Sequence, residues 1–270
     1  MGDRILFLGT GGDSIVVGKQ YRGSGGIILQ VEGNQFHIDP GPGSLVMAKL
    51  YGINLRENTA VFLSHNHLNH AAGANSVISA MTHNGLDKKG VLVGNNSSIN
   101  GTQESEPFVH SFYKTCVERY IALDYGKKVG INHIDIRLMK TKHSDENAVG
   151  FKIFSKKFTL GYTSDTEYRK TIAEQYRNCD ILILNVPCPG STEQKGVMNT
   201  EQAQKFIQEA HPRLAIITHF GIKMLQADPL YEAREIQKST GIQVISAKDG
   251  MELNPVSFSS SVRQKTLKGY

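Results

Sequence analysis

Short apolar runs closed by glycine, proline, asparagine or histidine recur along this chain, and stretches with helical spacing lie between them. Residues 4–9 read as a strand. Residues 26–31 and 35–38 read as a hairpin around Glu32-Gly33-Asn34, residues suited to a tight turn. Residues 60–63, 91–93 and 135–139 are further strands. Residues 149–154 and 158–162 form a second hairpin through Ser155-Lys156-Lys157. Residues 181–186 are apolar almost throughout, as in a central strand covered on both faces. Residues 214–218, 242–247 and 251–253 complete the sheet material.

Helices are predicted over 69–82, where Ala72, Val77, Ile78 and Met81 share a face, and over 117–123 and 166–178. Asn199 and Gln202 carry the pattern of a reciprocal N-terminal cap for a helix reaching Ala210. Asp228-Pro229 starts another, which Gly241 ends. Strands and helices alternate without a Pro/Gly/Ser-rich linker or a repeat, which predicts one α/β domain over 1–257 and a flexible tail over 258–270.

The polar positions that end the strands carry the candidate chemistry. Residues 60–63 run into Ser64-His65-Asn66-His67-Leu68-Asn69-His70, three of the chain's ten histidines within six residues. Neutral imidazole suits zinc and other borderline divalent ions. His143, Asp165 and His219 also follow strands. Side chains delivered from several strand ends over one cleft suit two cations with a carboxylate between them. A metal-bound water loses its proton near neutral pH and becomes the nucleophile. Asp39, before Pro40-Gly41-Pro42-Gly43, is either an orienting partner for a ligand histidine or a turn aspartate bonding its own backbone. His37 is read as structural. Gly9-Thr10-Gly11-Gly12 lacks the features of a nucleotide-binding loop and is read as a tight turn passing close to a site.

Composition narrows the classes. The 270 residues are 39% hydrophobic, and no apolar run approaches the ~20 residues a membrane helix needs. Cys116, Cys179 and Cys188 show no paired spacing, so they are expected as buried thiols in a cytoplasmic protein. A net charge of +5 favours a small anionic substrate or nucleic acid as partner. A homo-oligomer is expected, although no sequence pattern specifies one.

The motif His65-Asn66-His67-Leu68-Asn69-His70 resembles the HxHxDH signature of the metallo-β-lactamase superfamily. Leu8 to Gly12, His37 to Gly41, His143-Ser144, Gly161 to Thr166 and Thr218 to Gly221 resemble its flanking segments, with spacing most similar to the ribonuclease Z-like branch. The resemblance implies a four-layer αβ/βα sandwich. It implies that His65, His67 and His143 hold one ion and His70 and His219 another, with Asp165 bridging. Zinc is the expected metal, as one or two ions, with manganese, iron or nickel as substitutes. The implied activity is a metal-dependent hydrolase of a phosphodiester or other anionic ester, with Asp165, His70 and Asn69 nearest the chemistry.

The alternatives are a lactone or thioester hydrolase on the same scaffold, or a catalytically weakened metal- or nucleic-acid-binding protein. Asn69 motivates the last, because the family has aspartate there. An amide is a poorer ligand and exchanges no proton at neutral pH, so the second site is expected to bind more weakly. The chain shows neither the long insertion that would grip tRNA nor a His-Glu pair after residues 181–184, so mature tRNA processing is not expected.

Overall fold

The alternation along one strand sets the architecture. In β4 (Asn58–Leu63), Ala60 and Phe62 join a core formed between two sheets, while Val61 and Leu63 face a layer of helices. Successive side chains of a strand leave on opposite faces, so a strand apolar throughout must be covered twice.

The computed structural model describes residues 2–259. Its first sheet contains β1 (Arg4–Phe7), β2 (Ile27–Val31), β3 (Asn34–Ile38), β4, β5 (Val91–Gly94) and β6 (Arg119–Ala122), in that order. The β2–β3 hairpin is antiparallel, and β3 through β6 run parallel. The second sheet runs from β7 (Lys128–Ile131), β8 (Ile134–Lys140) and β9 (Val149–Phe154) through β10 (Thr159–Tyr162) and β11 (Ile181–Asn185) to β12 (Leu214–Thr218) and β13 (Gln243–Ser246). Here β7 to β10 are antiparallel and β10 to β13 parallel. Finally β14 (Glu252–Leu253) returns to pair with β1.

The sheets meet through aromatic edges: Phe62 lies 5.3 Å from Phe36 and 5.5 Å from Phe151 of the opposite sheet. Outside the first sheet, Val77, Ile78 and Met81 of helix Ala74–Thr82 pack on Val61 and Leu92. Outside the second, Phe206 of Thr200–Ala210 and Ile236 of Pro229–Thr240 cover Leu182 and Ile217. Both sequence caps are present: the Asn199–Gln202 pair is reciprocal, and Gly241 ends its helix at φ 70°.

Three expectations are corrected. Residues 119–122 form the edge strand β6, not a helix. Parallel pairing with β5 supplies backbone partners that local propensity cannot foresee. The helix expected over 69–82 begins at Leu68 and breaks after Ala71. The Gly73 amide donates to Pro40 O, and a Cβ on Gly73 would lie 2.4 Å from Gly41 O, so this turn is packed against the Pro40-Gly41 segment. The helix over 166–178 shrinks to Lys170–Ala173 and a 3-10 turn Glu174–Tyr176, because Thr166 and Glu167 are bound to the backbone of Lys142. The chain before the expected tail ends in a 3-10 turn, Pro255–Phe258, and the Ser259 hydroxyl donates to Lys157 O. The rest of that tail, residues 260–270, lies outside the described residues.

Candidate metal centre

Asp39 follows β3, His65 to His70 follow β4, and His143 follows β8. Asp165 follows β10, Asn185 ends β11, and His219 follows β12. Because β3, β4, β10, β11 and β12 lie in the parallel parts of the two sheets, their carboxyl ends open on one cleft. The turns there bend the backbone sharply: Asp39, Ser164 and His219 have φ of 50°, 54° and 66°. For residues other than glycine such angles cost free energy that the surrounding packing must offset.

All six sequence-predicted ligands converge. His67 Nδ1 lies 3.1 Å from His65 Nε2 and 3.1 Å from His143 Nε2. Asp165 Oδ2 lies 3.9 Å from both His65 Nε2 and His143 Nε2. On the other side, His70 Nε2 and His219 Nε2 are 3.3 Å apart, and Asp165 reaches them at 3.5 and 3.4 Å. Within each set, His65/His67/His143/Asp165 and His70/Asp165/His219, the donor atoms lie within 4.8 Å of one another. Tetrahedral zinc with bonds of about 2.0–2.1 Å places neighbouring ring nitrogens roughly 3.3 Å apart. The ring-nitrogen spacings of 3.1–3.3 Å match, and Asp165 stands further out at 3.4–3.9 Å. Neutral rings turning lone pairs toward one another would otherwise repel, so this donor set fits a divalent cation.

The ring tautomers are fixed from behind. His70 Nδ1–H donates to Asp39 at 2.8 Å, and His143 Nδ1–H to Gly196 O at 2.6 Å. Ser164 Oγ donates to Ser64 Oγ, which donates to Asp39 Oδ2. That leaves Ser64 Oγ as the acceptor for His65 Nδ1–H at 2.9 Å. Each chain of bonds leaves Nε2 free to face the centre, the arrangement by which outer partners orient metal-ligating histidines.

Asp39 is the hub, taking bonds from the Ser64 amide, Ser64 Oγ, His70 Nδ1 and Tyr162 OH at 2.6–2.8 Å. Of the two readings open for Asp39, the structure shows the orienting one. His37 is fully buried with its ring against Gly25 O, and burial pulls its pKa down to about 4, in line with a structural role. The three cysteines are free and buried.

Sequence reasoning missed Asn185, whose Nδ2 donates to Asp165 Oδ1 at 2.8 Å, and the Ser64/Ser164 pair. Their only signal was position at strand ends. Asn69 stands beside the second donor set. Its Nδ2 donates to Gly12 O at 2.8 Å and lies 3.1 Å from His219 Nε2. The glycine run explains that closeness: a Cβ on Gly12 would fall 2.1 Å from His219 O.

Charge is distributed unevenly among these groups. Burial opposes charge on His70, but Asp165 and Asp39 outweigh it and carry its pKa up to about 10. Burial, reinforced by the charge on His70, holds His65 well below the usual histidine range. Burial would raise Asp165, yet His219 and His70 hold it well below the usual carboxylate range.

A raised histidine pKa stabilises the fold below pH ~6.5, and that contribution fades as pH rises through about 10. A cation on His70 Nε2 must displace the proton there. Saturation with a divalent cation at pH 7 is therefore expected to release at least one proton per chain, with affinity rising with pH. Calorimetric titrations in buffers of different ionisation heat measure this, and binding without proton release would contradict it.

Residues 34–220 match the family described as a beta-lactamase superfamily domain. An uncharacterized protein of Methanocaldococcus jannaschii is 31% identical over 251 residues, 92% of this chain and 94% of that one. Among solved structures, the metallo-beta-lactamase fold protein YhfI of Bacillus subtilis has a TM-score of 0.76 at 21% identity, covering 93% of this chain and 98% of its own. A diphosphatase of the PhnP family has a TM-score of 0.70 at 17% identity, with coverage of 94% and 97%. The short form of human tRNase Z has a TM-score of 0.63 at 14% identity, with coverage of 93% and 98%. The likeness, with two helix-covered sheets, gives the expected αβ/βα sandwich.

Proposed function

The chain belongs to the metallo-β-lactamase superfamily, and from that premise we propose that it is a metal-dependent hydrolase of a small phosphodiester or related phosphoryl ester. The observation that carries this reading is the convergence of six donors from four separate segments, with Asp165 placed between two histidine sets. In this reading His65, His67 and His143 hold one cation, His70 and His219 hold the other, and Asp165 serves both. Zinc is the proposed ion on ligand type. Bound there, it supplies a Lewis acid and makes water acidic enough to attack near neutral pH.

The chain's own groups do the rest. Asp39, Ser64, Ser164 and Gly196 hold the rings in register, and Asn185 fixes one oxygen of Asp165. Asn69 takes up no proton at neutral pH, so acid–base help from this position, worth ~100- to 10,000-fold where a protein has it, is missing.

The neighbouring surface bears on substrate class. A polar cavity of about 570 Å³ opens beside His67, lined by Asn66, Ser97, Ser105, Ser144, Glu104 and Glu146 among others. Amides and hydroxyls suit a hydroxyl-rich remainder better than an acyl chain, which favours a phosphoryl ester over a thioester. The three carboxylates of its lining, Glu104, Asp145 and Glu146, repel further phosphates, which favours a small substrate over nucleic acid. The diphosphatase and tRNase Z likenesses support phosphoryl chemistry by analogy only.

A chromogenic phosphodiester, a lactone and a thioester assayed side by side test the reading. The phosphodiester is expected to turn over fastest, and His67→Ala to remove at least about 100-fold of that rate, because a ligand is worth no less than the 10- to 100-fold of its outer partners. Lactone or thioester turnover alone would transfer the assignment to those bonds. No turnover by zinc-loaded protein would favour the weakened metal-binding alternative that Asn69 suggests.

A further inference from the structure

We propose that the His70/Asp165/His219 position takes up its cation together with an anion of the phosphate type, because residue 69 presents an N–H donor where the family motif has a carboxylate. The inference rests on the metal-hydrolase reading above and adds a coupling between the second ion and the substrate head group.

The orientation of Asn69 is fixed on both sides. Its Nδ2 donates to Gly12 O at 2.8 Å, so turning the amide would set oxygen against oxygen at that distance. Gly12 cannot retreat, since a Cβ on it would fall 2.1 Å from His219 O, and its amide is bound to Phe220 O. The Asn69 backbone is equally confined: a Cβ on Gly41 would lie 2.2 Å from Asn69 O. The atom held 3.1 Å from His219 Nε2 is therefore the amide nitrogen, which carries hydrogens and offers no lone pair to a cation.

Charge leads to the same conclusion. The second donor set has two neutral imidazoles and Asp165, and Asp165 also belongs to the first set. Two divalent cations would then share one negative ligand. A bound anion corrects both defects: it supplies the missing charge, and its oxygen can accept from the second Asn69 N–H. An aspartate at this position would itself supply that charge and leave the anion less to add. By linkage, the factor by which the anion tightens the second cation equals the factor by which the cation tightens the anion.

The test is equilibrium dialysis of the full chain against chelator-buffered zinc, with and without inorganic phosphate, followed by metal analysis. Without phosphate, one zinc per chain is expected to bind tightly. Phosphate is expected to strengthen the second ion by about tenfold or more, the scale of a charge-assisted hydrogen bond together with charge neutralisation. Asn69→Asp is expected to bind the second ion without phosphate and to lose most of the phosphate effect. Asn69→Ala, which adds no charge, is expected to weaken phosphate binding to the zinc-loaded protein about tenfold. A second ion bound equally well with and without phosphate overturns the proposal, as does a phosphate effect that survives unchanged in both variants. One tight ion with no coupling refutes this inference and leaves the hydrolase reading standing, whereas a chain that binds no zinc refutes both.

Discussion

Asp165→Ala is expected to reduce bound zinc from at least one ion per chain to a trace and to lower hydrolysis by more than about 1,000-fold. Asp165 alone belongs to both donor sets: Oδ2 faces His65, His70 and His143, and Oδ1 faces His219. Removing it leaves only neutral imidazoles around a divalent charge. Outer partners that merely orient a ligand are worth ~10- to 100-fold in affinity, so loss of the shared carboxylate should exceed that range. The substitution also leaves Asn185 Nδ2 without its bond to Asp165. Asp165→Asn keeps the shape and removes the charge, and it should lie between the two. Metal content after dialysis, with circular dichroism to show an intact fold, checks this. Asp165→Ala protein that retained zinc at unchanged affinity would sink the assignment.

Asp39→Ala should destabilise the protein by roughly 3–5 kcal/mol, the scale found when one partner of a buried charged pair is removed. At about 2–4 °C per kcal/mol for chains approaching this size, the melting temperature should fall by ~10 °C. Asp39 is buried and joins three segments: its own turn after β3, Ser64 after β4, and Tyr162 at the end of β10. Without it, the Ser64 amide, the Tyr162 hydroxyl and His70 Nδ1–H all lose an acceptor inside the protein. Because Asp39 also sets the His70 tautomer, zinc affinity should fall by about 10- to 100-fold even where the fold survives. Thermal unfolding of the metal-free variant isolates the first effect, and zinc titration of the folded fraction the second. A variant that melts within about 2 °C of the parent with unchanged affinity would remove Asp39 from the positioning network.

Local events were legible along the chain. Apolar runs of strand length located most strands, because a doubly covered strand has no polar face to hide. The caps at Asn199 and Asp228 were legible because capping is settled within a few residues. His65, His67 and His70 stood out because their spacing alone sets them on one turn, strand-end position added His143, Asp165 and His219, and the family resemblance divided the six between two ions.

What depended on distant partners was not legible. Residues 119–122 became strand β6 because β5 offered an open edge, and Gly73 interrupted a helical pattern because the Pro40-Gly41 segment packs on it. Asp39 had two even readings until Ser64, His70 and Tyr162 gathered around it. Asn69 shows the division most sharply. Its identity announced the loss of a charged ligand, but only the tertiary structure, by setting Gly12 O opposite its amide, decided that it presents a donor to the cleft. Hydrogen-bond direction is a property of two atoms brought together, and a single position along a chain specifies only one of them.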